Sequence, residues 1–215
     1  MKKGNLILIN GSSSAGKTST ARAMQDMFDT PWVRLGIDCF WLSMPPKQLG
    51  FHSIDKNYLT MKTYTKHHLP YFHITPGPIL DQVMYASYKA IAAYLDSGVN
   101  VISDQLFWKS EWFRAALDTL IPFHVFLVAL IVSDKEGSRR EDLRCTKNGD
   151  NTEAGGRRAG WNRCSAKITH KNMIYDFEID NSSIPIRETA YNIKSAYEQT
   201  PQPKAFKQLY NTFGI

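Results

Sequence analysis

The stretch NLILINGSSSAGKTSTARAMQDM, residues 5–27, carries the strongest structural pattern in the chain. It begins with the apolar run Leu6–Ile9, whose length and β-branched residues predict a strand buried on both faces. The pattern G-x-x-x-x-G-K-[ST], the Walker A signature of a phosphate loop, follows from Gly11 to Thr18. Apolar residues then recur at helical spacing, at Ala21, Met24 and Phe28. A strand, a glycine-framed loop and a helix in this order predict a site for a nucleoside triphosphate.

Each residue type in this loop suits the binding of a polyphosphate. Gly11 and Gly16 allow a tight backbone turn whose N–H groups point inward, and the following helix adds its positive N-terminal dipole. Lys17 would reach the β- and γ-phosphates, and the Thr18 hydroxyl would bind Mg²⁺. We therefore expect ATP and Mg²⁺ as cofactors. The expected nucleotide-binding residues are Gly11, Ser12, Ser13, Ser14, Ala15, Gly16, Lys17, Thr18 and Ser19.

Composition and charge fit one ordinary α/β domain. The chain has 215 residues, 43% hydrophobic and 21% charged, and a net charge of +6. A surplus of Lys and Arg suits either nucleic acid or an anionic cosubstrate such as ATP. Much of the surplus lies within 139–171, which favours local phosphate chemistry and makes a nucleic-acid partner unexpected.

The cysteines and the N-terminus indicate a cytoplasmic protein. Cys39, Cys145 and Cys164 form no CxxC pair and no metal-ligand spacing, which favours free thiols in a reducing compartment. The first apolar run is too short for a signal sequence and leads directly into the phosphate loop. Secretion without a cleaved signal would leave no mark in this sequence. We expect no membrane association.

Two later predicted strands end in an acid. The segment 32–38 ends at Asp38, and the segment 99–104 ends at Asp104. Ligands of open α/β sheets bind beyond the carboxyl ends of the strands, so both carboxylates are candidates for the site beside the phosphate loop. Asp104 is a candidate, with Thr18, to hold the hydrated Mg²⁺. Asp38 also reads as a helix cap or turn residue, and Asp104 as a surface turn residue.

The segment 40–78 is the least regular part of the chain. It is rich in Pro and aromatic residues and holds four of the six histidines. The histidines lack the i, i+4 spacing and the Cys or Glu companions of a helical zinc site. A long irregular stretch after a strand end is more often a binding region, so we expect a partly apolar pocket for an acceptor here.

A hydrophilic, Arg-rich segment follows the most apolar strand, 125–132. Its glycines predict an exposed excursion near 148–151 between helical stretches at 138–143 and 159–170. Arginines on a mobile element suit a lid over phosphates, which we place at about 133–171. A solvated charged face is the alternative interpretation.

The five β/α units predict a doubly wound parallel five-stranded sheet of the P-loop NTPase type, with helices on both faces and the Arg-rich lid. The further strand is 174–180, and a helix is expected from Pro185 to about Tyr197. We assign residues 1–200 to one P-loop kinase domain and 201–215 to a C-terminal tail that packs on the domain or on a partner.

Several stretches together resemble the chloramphenicol phosphotransferase family, which are phosphate-loop kinases acting on a small-molecule hydroxyl. The matching stretches are ILINGSSSAGKTS (7–19), LGID (35–38), MPPK (44–47), VISDQLF (101–107), 157–160 with His170, and YDFEIDNSS (175–183). The resemblance implies that Asp38 is the general base toward the acceptor hydroxyl and that Arg139, Arg140 and Arg157 belong to the lid. The chain departs from the family at about 143–156, where it carries extra residues, and at Ser165, where relatives have glutamine.

The sequence therefore predicts an ATP- and Mg²⁺-dependent phosphotransferase acting on a small-molecule hydroxyl held by the segment 40–78. A kinase of a metabolite, such as a nucleoside or sugar-type compound, is an alternative within the same chemistry. A nucleotide-dependent switch or partner-binding protein is an alternative from another class. Phosphorylation of nucleic-acid 5′-hydroxyls is supported only by the basic charge.

Overall fold

The computed structural model describes residues 2–49, 55–149 and 159–213. Strand β1 (Asn5–Gly11) occupies the centre of the main sheet and leads through the phosphate loop into helix α1 (Lys17–Gln25). The elements that follow up to the main crossover helix are β2 (Trp32–Arg34), α2 (Ile37–Trp41), α3 (Pro46–Leu49), β3 (Leu59–Lys66), β4 (Leu69–Pro76) and α4 (Pro78–Asp96). The remaining elements are β5 (Asn100–Gln105), α5 (Ser110–Leu120), β6 (His124–Ile131), α6 (Asp134–Asn148), α7 (Trp161–Thr169), β7 (Phe177–Asp180), α8 (Ile186–Gln199) and α9 (Ala205–Phe213).

The main sheet is parallel and has the strand order β2-β5-β1-β6-β7. Side chains of β1 alternate between two cores: Leu6 and Leu8 face the cluster built with α4, α5 and α9, whereas Ile7 and Ile9 face the cluster built with α1 and α8. Helices thus cover both faces, as expected for parallel strands that are apolar throughout. The prediction of a doubly wound five-stranded P-loop-type sheet is confirmed.

The predicted strand at 32–38 is shorter in the structure. β2 ends at Arg34, and Gly36 then precedes the short helix α2 in extended conformation. Asp38 lies in the first turn of α2 and not at a strand terminus. The strand containing Asp104 matches its prediction more closely, because β5 runs one residue beyond it. The two carboxylates therefore reach the carboxyl edge of the sheet from different kinds of element.

The segment expected to be irregular contains an antiparallel hairpin of β3 and β4. Its two turn residues, His67 and His68, both have positive φ, 51° and 61°, the φ pattern of a type I′ turn. One face of the hairpin contributes Phe72 and Ile74 to the core under α4. The histidine-rich stretch is thus a regular element that carries Lys62, Lys66 and His73 on the opposite face.

Helices α6 and α7 form the arm predicted as a lid, and a buried carboxylate joins them. Glu141, 2% exposed, accepts the backbone N–H groups of Gly160 (2.7 Å) and Asn162 (2.6 Å) at the start of α7. Burial raises the pKa of Glu141 although these hydrogen bonds oppose the shift. The predicted excursion near 148–151 continues into 150–158, which lie outside the described residues.

The C-terminal segment forms helix α9, which packs against α5 and β6 through Phe206 and Leu209. Across the three described ranges, no helix has the length and apolar character needed to cross a membrane.

Candidate active site

The phosphate loop has the backbone that its glycines suggest. Gly16 adopts φ +93° and Ser14 φ +62°, and α1 begins directly afterwards at Lys17. The Lys17 ammonium donates to the carbonyl oxygens of Gly11 (2.7 Å) and Ser12 (2.8 Å). The ammonium group thus lies across the loop, where a bound phosphate group would also lie. The loop and the first turn of α1 together line a large cavity.

Two neighbouring elements support the loop from outside. The Ser13 N–H donates to the Ser165 hydroxyl of α7 (2.8 Å), and Ser165 is fully buried. On the other side, Asn181 follows directly after β7, and its side-chain amide donates to the Ala15 carbonyl (2.8 Å). Ser165, the position at which we expect relatives to have glutamine, thus contacts the phosphate loop directly. Sequence reasoning singled out this position but not the contact.

Asp104 is buried, 1% exposed, and both of its carboxylate oxygens have partners. The Thr18 hydroxyl donates to Oδ2 (2.6 Å), and the Arg34 guanidinium donates to Oδ1 (2.8 Å). A side chain at Gly36 would collide with this carboxylate, so the close approach requires glycine. The structure thus brings Thr18 and Asp104 together as expected and adds Arg34, which sequence reasoning missed.

The Arg34 guanidinium also joins this cluster to α2. Its second terminal nitrogen contacts the Cys39 sulfur at 3.5 Å. Burial lowers the pKa of Arg34, but the attraction of Asp104 outweighs it, and the pKa stands above its ordinary value. Arg34 is therefore a fixed cation between the buried carboxylate and the helix that carries Asp38.

The cavity has a volume of about 650 Å³ and joins the phosphate loop to Asp38. The first turn of α1 and Asp104 lie at the loop end. Apolar residues from several elements line the remainder; they are Ile37, Trp41, Leu42, Leu49, Leu106, Trp108, Trp112 and Trp161. Only residues 41–49 of the predicted acceptor segment line it among those described. The tryptophans of α5, α7 and the β5–α5 connection were not expected there.

The three predicted lid arginines differ in their surroundings. Arg140 donates to Glu136 (2.8 Å), to the Ala15 carbonyl (3.1 Å) and to both oxygens of Asn181 (3.2 and 2.8 Å). Arg139 is exposed and donates twice to Glu136, at 2.7 Å. Arg157 lies outside the described residues. Hydrogen bonds from Arg139 and Arg140 lower the pKa of Glu136 to about 2.

A fourth arginine of the arm reaches the cavity. Arg144 lies on α6 one turn after Arg140 and lines the same cavity as Lys17 and Asp38. Its i+4 spacing from Arg140 was available in the sequence, but the chain there was assigned to an inserted excursion. A helix that continues to Asn148 places Arg144 on the cavity side.

A buried polar network lies beneath the loop. Asn10 donates to the Thr169 carbonyl (2.8 Å) and to the Tyr175 hydroxyl (2.9 Å), and His170 Nδ1 lies 2.7 Å from the same hydroxyl. Burial and the nearby charge of Lys17 lower the pKa of His170. The network ties the C-terminal end of α7 to β1, close to the loop.

Comparison with known proteins decides the family. The sequence profile of chloramphenicol phosphotransferase-like proteins matches residues 4–198. The chain belongs to this family. The resemblance found in the sequence motifs is thereby confirmed, and the family places the chain among the phosphotransferases.

Relatives agree with this assignment. Proteins from two strains of Mycobacterium tuberculosis, each named "Putative O-phosphotransferase", are 42% identical over 214 residues, which is 99% of this chain and 91% of theirs. The prediction of an O-phosphotransferase of the kinase type is confirmed.

Solved structures share the fold at low identity. The M. tuberculosis APS kinase CysC in complex with AMPPNP and APS superposes with a TM-score of 0.60 at 12% identity, covering 92% of this chain and 99% of that one. A gluconokinase from Sinorhizobium meliloti gives 0.54 at 12% identity, with 99% of each chain covered. A tunicamycin resistance protein from Deinococcus radiodurans gives 0.56 at 12% identity, covering 93% and 97%. These likenesses show that the chain shares the α/β fold of these proteins.

Proposed function

We propose that the protein transfers the γ-phosphoryl group of ATP, with Mg²⁺, to a hydroxyl group of a small molecule bound in the 650 Å³ cavity. One observation carries the proposal: the phosphate loop and Asp38 line the same cavity. A nucleotide on the loop and an acceptor hydroxyl beside Asp38 can therefore be bound in one cavity at the same time. Positioning and charge neutralisation, which dominate phosphoryl transfer, are the tasks that such a cavity performs.

Lys17 would hold the β- and γ-phosphates. Its ammonium now bonds to two loop carbonyls, so the proposal requires it to exchange one of them for a phosphate oxygen. The loop amides from Ser14 to Thr18 and the N-terminus of α1 would surround the remaining oxygens. Because α1 begins at Lys17, the dipole of the helix acts directly on the triphosphate.

Thr18 and Asp104 fit Mg²⁺. Both offer oxygen atoms, the ligands that Mg²⁺ prefers, and the two side chains are 2.6 Å apart at the cavity wall. Magnesium usually takes one or two protein ligands and keeps several waters, so two groups suffice. When bound, Mg²⁺ neutralises charge on the β- and γ-phosphates. Thr18 and Asp104 would contribute their side-chain oxygens, held in position beside the loop.

Asp38 would accept the proton of the acceptor hydroxyl. It is half-buried in the first turn of α2 and lines the cavity. A carboxylate can take the proton late, when the hydroxyl oxygen has begun to bond to phosphorus. The backbone of α2 holds Asp38, and Arg34 contacts the next residue, Cys39, so the base has a defined position relative to Asp104.

The acceptor would lie against the apolar part of the cavity. Trp108, Trp112 and Trp161 line it together with Trp41 of α2. Flat aromatic surfaces suit a ring compound whose hydroxyl is directed at Asp38. This extends the acceptor site predicted in the segment 40–78 to residues of α5 and α7.

The arm would supply arginines to the transferring phosphoryl group. Arg144 lines the cavity, Arg139 is exposed on the same helix, and Arg157 follows directly after the inserted stretch in the sequence. Closure of the arm would bring such cations toward the phosphates. Arg140 would act from outside, by holding the loop.

The test combines nucleotide binding with phosphate transfer. Mg-ATP should raise the melting temperature of the wild type, and Lys17→Ala should abolish the shift. The acceptor is then sought by incubating the protein and γ-labelled ATP with a panel of hydroxyl compounds. Asp38→Asn should retain the thermal shift and lower kcat by about a hundredfold or more.

Ser43→Ala, which changes an exposed polar residue of the same cavity just beyond α2, provides the matched control and should transfer phosphate at a near-normal rate. Absence of any Mg-ATP shift in the wild type would refute the nucleotide assignment. Normal transfer by Asp38→Asn would refute the role of Asp38 alone.

A further inference from the structure

The outer face of the β3–β4 hairpin carries cations and tyrosines in a regular arrangement. Residues directly opposite in an antiparallel pair share a face, so the pairs Lys62–His73, Tyr64–Tyr71 and Lys66–Leu69 all lie on one side of the hairpin. Phe72 and Ile74 alternate with them and face the core. Lys62, Tyr64 and Lys66 are exposed, Tyr64 to 49%.

Helix α7 extends this face past the edge of β4. The Cys164 sulfur accepts the Phe72 N–H (3.0 Å), and Arg163 donates to the Pro70 carbonyl (3.1 Å), so the helix lies along the strand. The Lys167 ammonium is 4.4 Å from the centre of the Tyr71 ring, and the Arg163 guanidinium carbon is 5.6 Å from it. Tyr64 stacks on Tyr71 with ring centres 5.5 Å apart.

We call the resulting surface the basic face; it consists of Lys62, Tyr64, Lys66, Tyr71, His73, Arg163 and Lys167. Its central tyrosine is nearly buried, 8% exposed, under Lys167 and Arg163. The ring of Tyr64 remains exposed between Lys62 and Lys66. An aromatic surface flanked by cations is therefore presented outward.

The basic face lies in two segments that contain no acid. Residues 56–80 and 159–175 hold six of the chain's 26 Lys and Arg residues and none of its 20 Asp and Glu residues. The rest of the chain consequently has equal numbers of acidic and basic residues. Glu141, whose charge reaches Arg163, is buried beneath α7. The positive charge of the protein is therefore concentrated around this face.

We propose that the basic face binds a single-stranded nucleic acid. Cations that follow a backbone, together with an exposed aromatic ring on which a base can stack, are the elements of such binding. Lys62 and Lys66 lie on either side of Tyr64 along one strand, so phosphates can be bound on both sides of a stacked base. The basic face itself contains no aliphatic residue, and the neighbouring Leu69 adds a single exposed aliphatic side chain, which disfavours insertion into a membrane.

This proposal departs from the sequence-based interpretation, in which a nucleic-acid partner is unexpected. That interpretation assigned the basic cluster at 139–171 to the phosphates of the nucleotide. In the structure, Arg163 and Lys167 of this cluster pack on a hairpin some 90 residues earlier, as the 93-residue separation of Arg163 and Pro70 illustrates. Neighbours of this kind cannot be recognised from sequence spacing.

The experiment measures binding of a fluorescent single-stranded oligouridylate of about 12 nucleotides by anisotropy, over a series of salt concentrations. Each neutralised phosphate contributes about 0.7 to the slope of log K against log salt on a single strand. Lys62→Gln combined with Lys66→Gln should therefore reduce the slope by about 1.4. Tyr64→Ala should weaken binding about tenfold and leave the slope unchanged.

The matched control is Lys204→Gln combined with Lys207→Gln, two exposed lysines at α9, which should retain wild-type affinity and slope. All these variants should keep the wild-type Mg-ATP thermal shift, because none of the residues lines the nucleotide cavity. An equal loss in the control pair, no binding by the wild type, or tighter binding to phosphatidylserine vesicles than to the oligonucleotide would each overturn the proposal. Self-association of the hairpin variant with unchanged oligonucleotide affinity would also overturn it, since lysines on an outer strand discourage strand pairing.

Discussion

The guanidinium of Arg34 and the carboxylate of Asp104 form an ion pair of 2.8 Å between the ends of two neighbouring strands. The side chains are 16% and 2% exposed, so both charges are largely removed from water. Thr18 donates to the other carboxylate oxygen. The expected metal ligand of the site thus has a protein cation as its counter-ion before any metal binds.

Removal of Arg34 should leave an uncompensated buried charge. We expect Arg34→Met to lower the free energy of unfolding by about 3 kcal/mol, measured by urea denaturation. Asp104→Asn added to this variant should restore part of the loss, because the stranded charge is then gone. If the double variant loses as much free energy of unfolding as Arg34→Met and Asp104→Asn lose together, there is no coupling energy between the two side chains.

The same variant should respond more strongly to Mg²⁺. If Asp104 takes part in metal binding, Mg-ATP replaces the missing cation and should raise the melting temperature of Arg34→Met by more than that of the wild type. ATP with EDTA provides the control and should not produce the excess. Equal shifts in both proteins would place the metal away from Asp104.

Much of the main sheet could be predicted from the sequence. Runs such as Leu6–Ile9 and 125–132 are apolar throughout because their strands are buried on both faces, and the glycine pattern fixes the loop between β1 and α1. The pairing of Thr18 with Asp104 followed from the rule that parallel strands end at one edge. These predictions rest on local patterns that tertiary contacts reinforce.

The hairpin and Arg34 could not be predicted in this way. The β3–β4 turn has two histidines at positive φ, where Asn or Gly is usual. The strands also carry Lys and Thr at many positions, so they lack the alternation of apolar and polar residues that predicts a strand. Arg34 belongs to no motif, and its partner lies 70 residues further along the chain. Asp38 was placed at a strand terminus, because the extended Gly36 was read as part of the strand and not as the start of α2.

Arg139 and Arg140 should differ despite their adjacency. Arg140 holds the Ala15 carbonyl and Asn181, so Arg140→Met should lower the free energy of unfolding by about 2 kcal/mol and weaken ATP binding. Among the described residues, Arg139 donates to Glu136 alone, and Arg139→Met should therefore cost much less stability than Arg140→Met while lowering kcat if the arm closes on the phosphates. Denaturation and calorimetric binding of both variants measure the difference. Equal stability of the two would contradict the supporting role of Arg140.

Glu136 should make the arm sensitive to acid. Its pKa falls from 4.5 to about 2 in the folded protein because Arg139 and Arg140 donate to it. A lowered carboxyl pKa gives a stability contribution that is present above pH 4.5 and is lost as the pH falls through about 2. The melting temperature of Glu136→Gln should therefore lie below that of the wild type at neutral pH and approach it in acid. If the difference in melting temperature between the wild type and Glu136→Gln stays constant with pH, the ionised form of Glu136 does not stabilise the folded protein.

Ser165 should connect the arm to the nucleotide. Ser165→Ala leaves the Ser13 N–H without its acceptor in a buried site, which should cost about 1–3 kcal/mol of stability and weaken ATP binding. Thr169→Val is the matched control, because Thr169 is equally buried on α7 but its hydroxyl donates to the helix carbonyl of Ser165 and not to the loop. Calorimetric titration with Mg-ATP should show a loss of affinity for Ser165→Ala alone. Similar affinities for the two variants would mean that Ser165 stabilises α7 without positioning the loop, and the loop would then depend on Asn181 and Arg140 for its support.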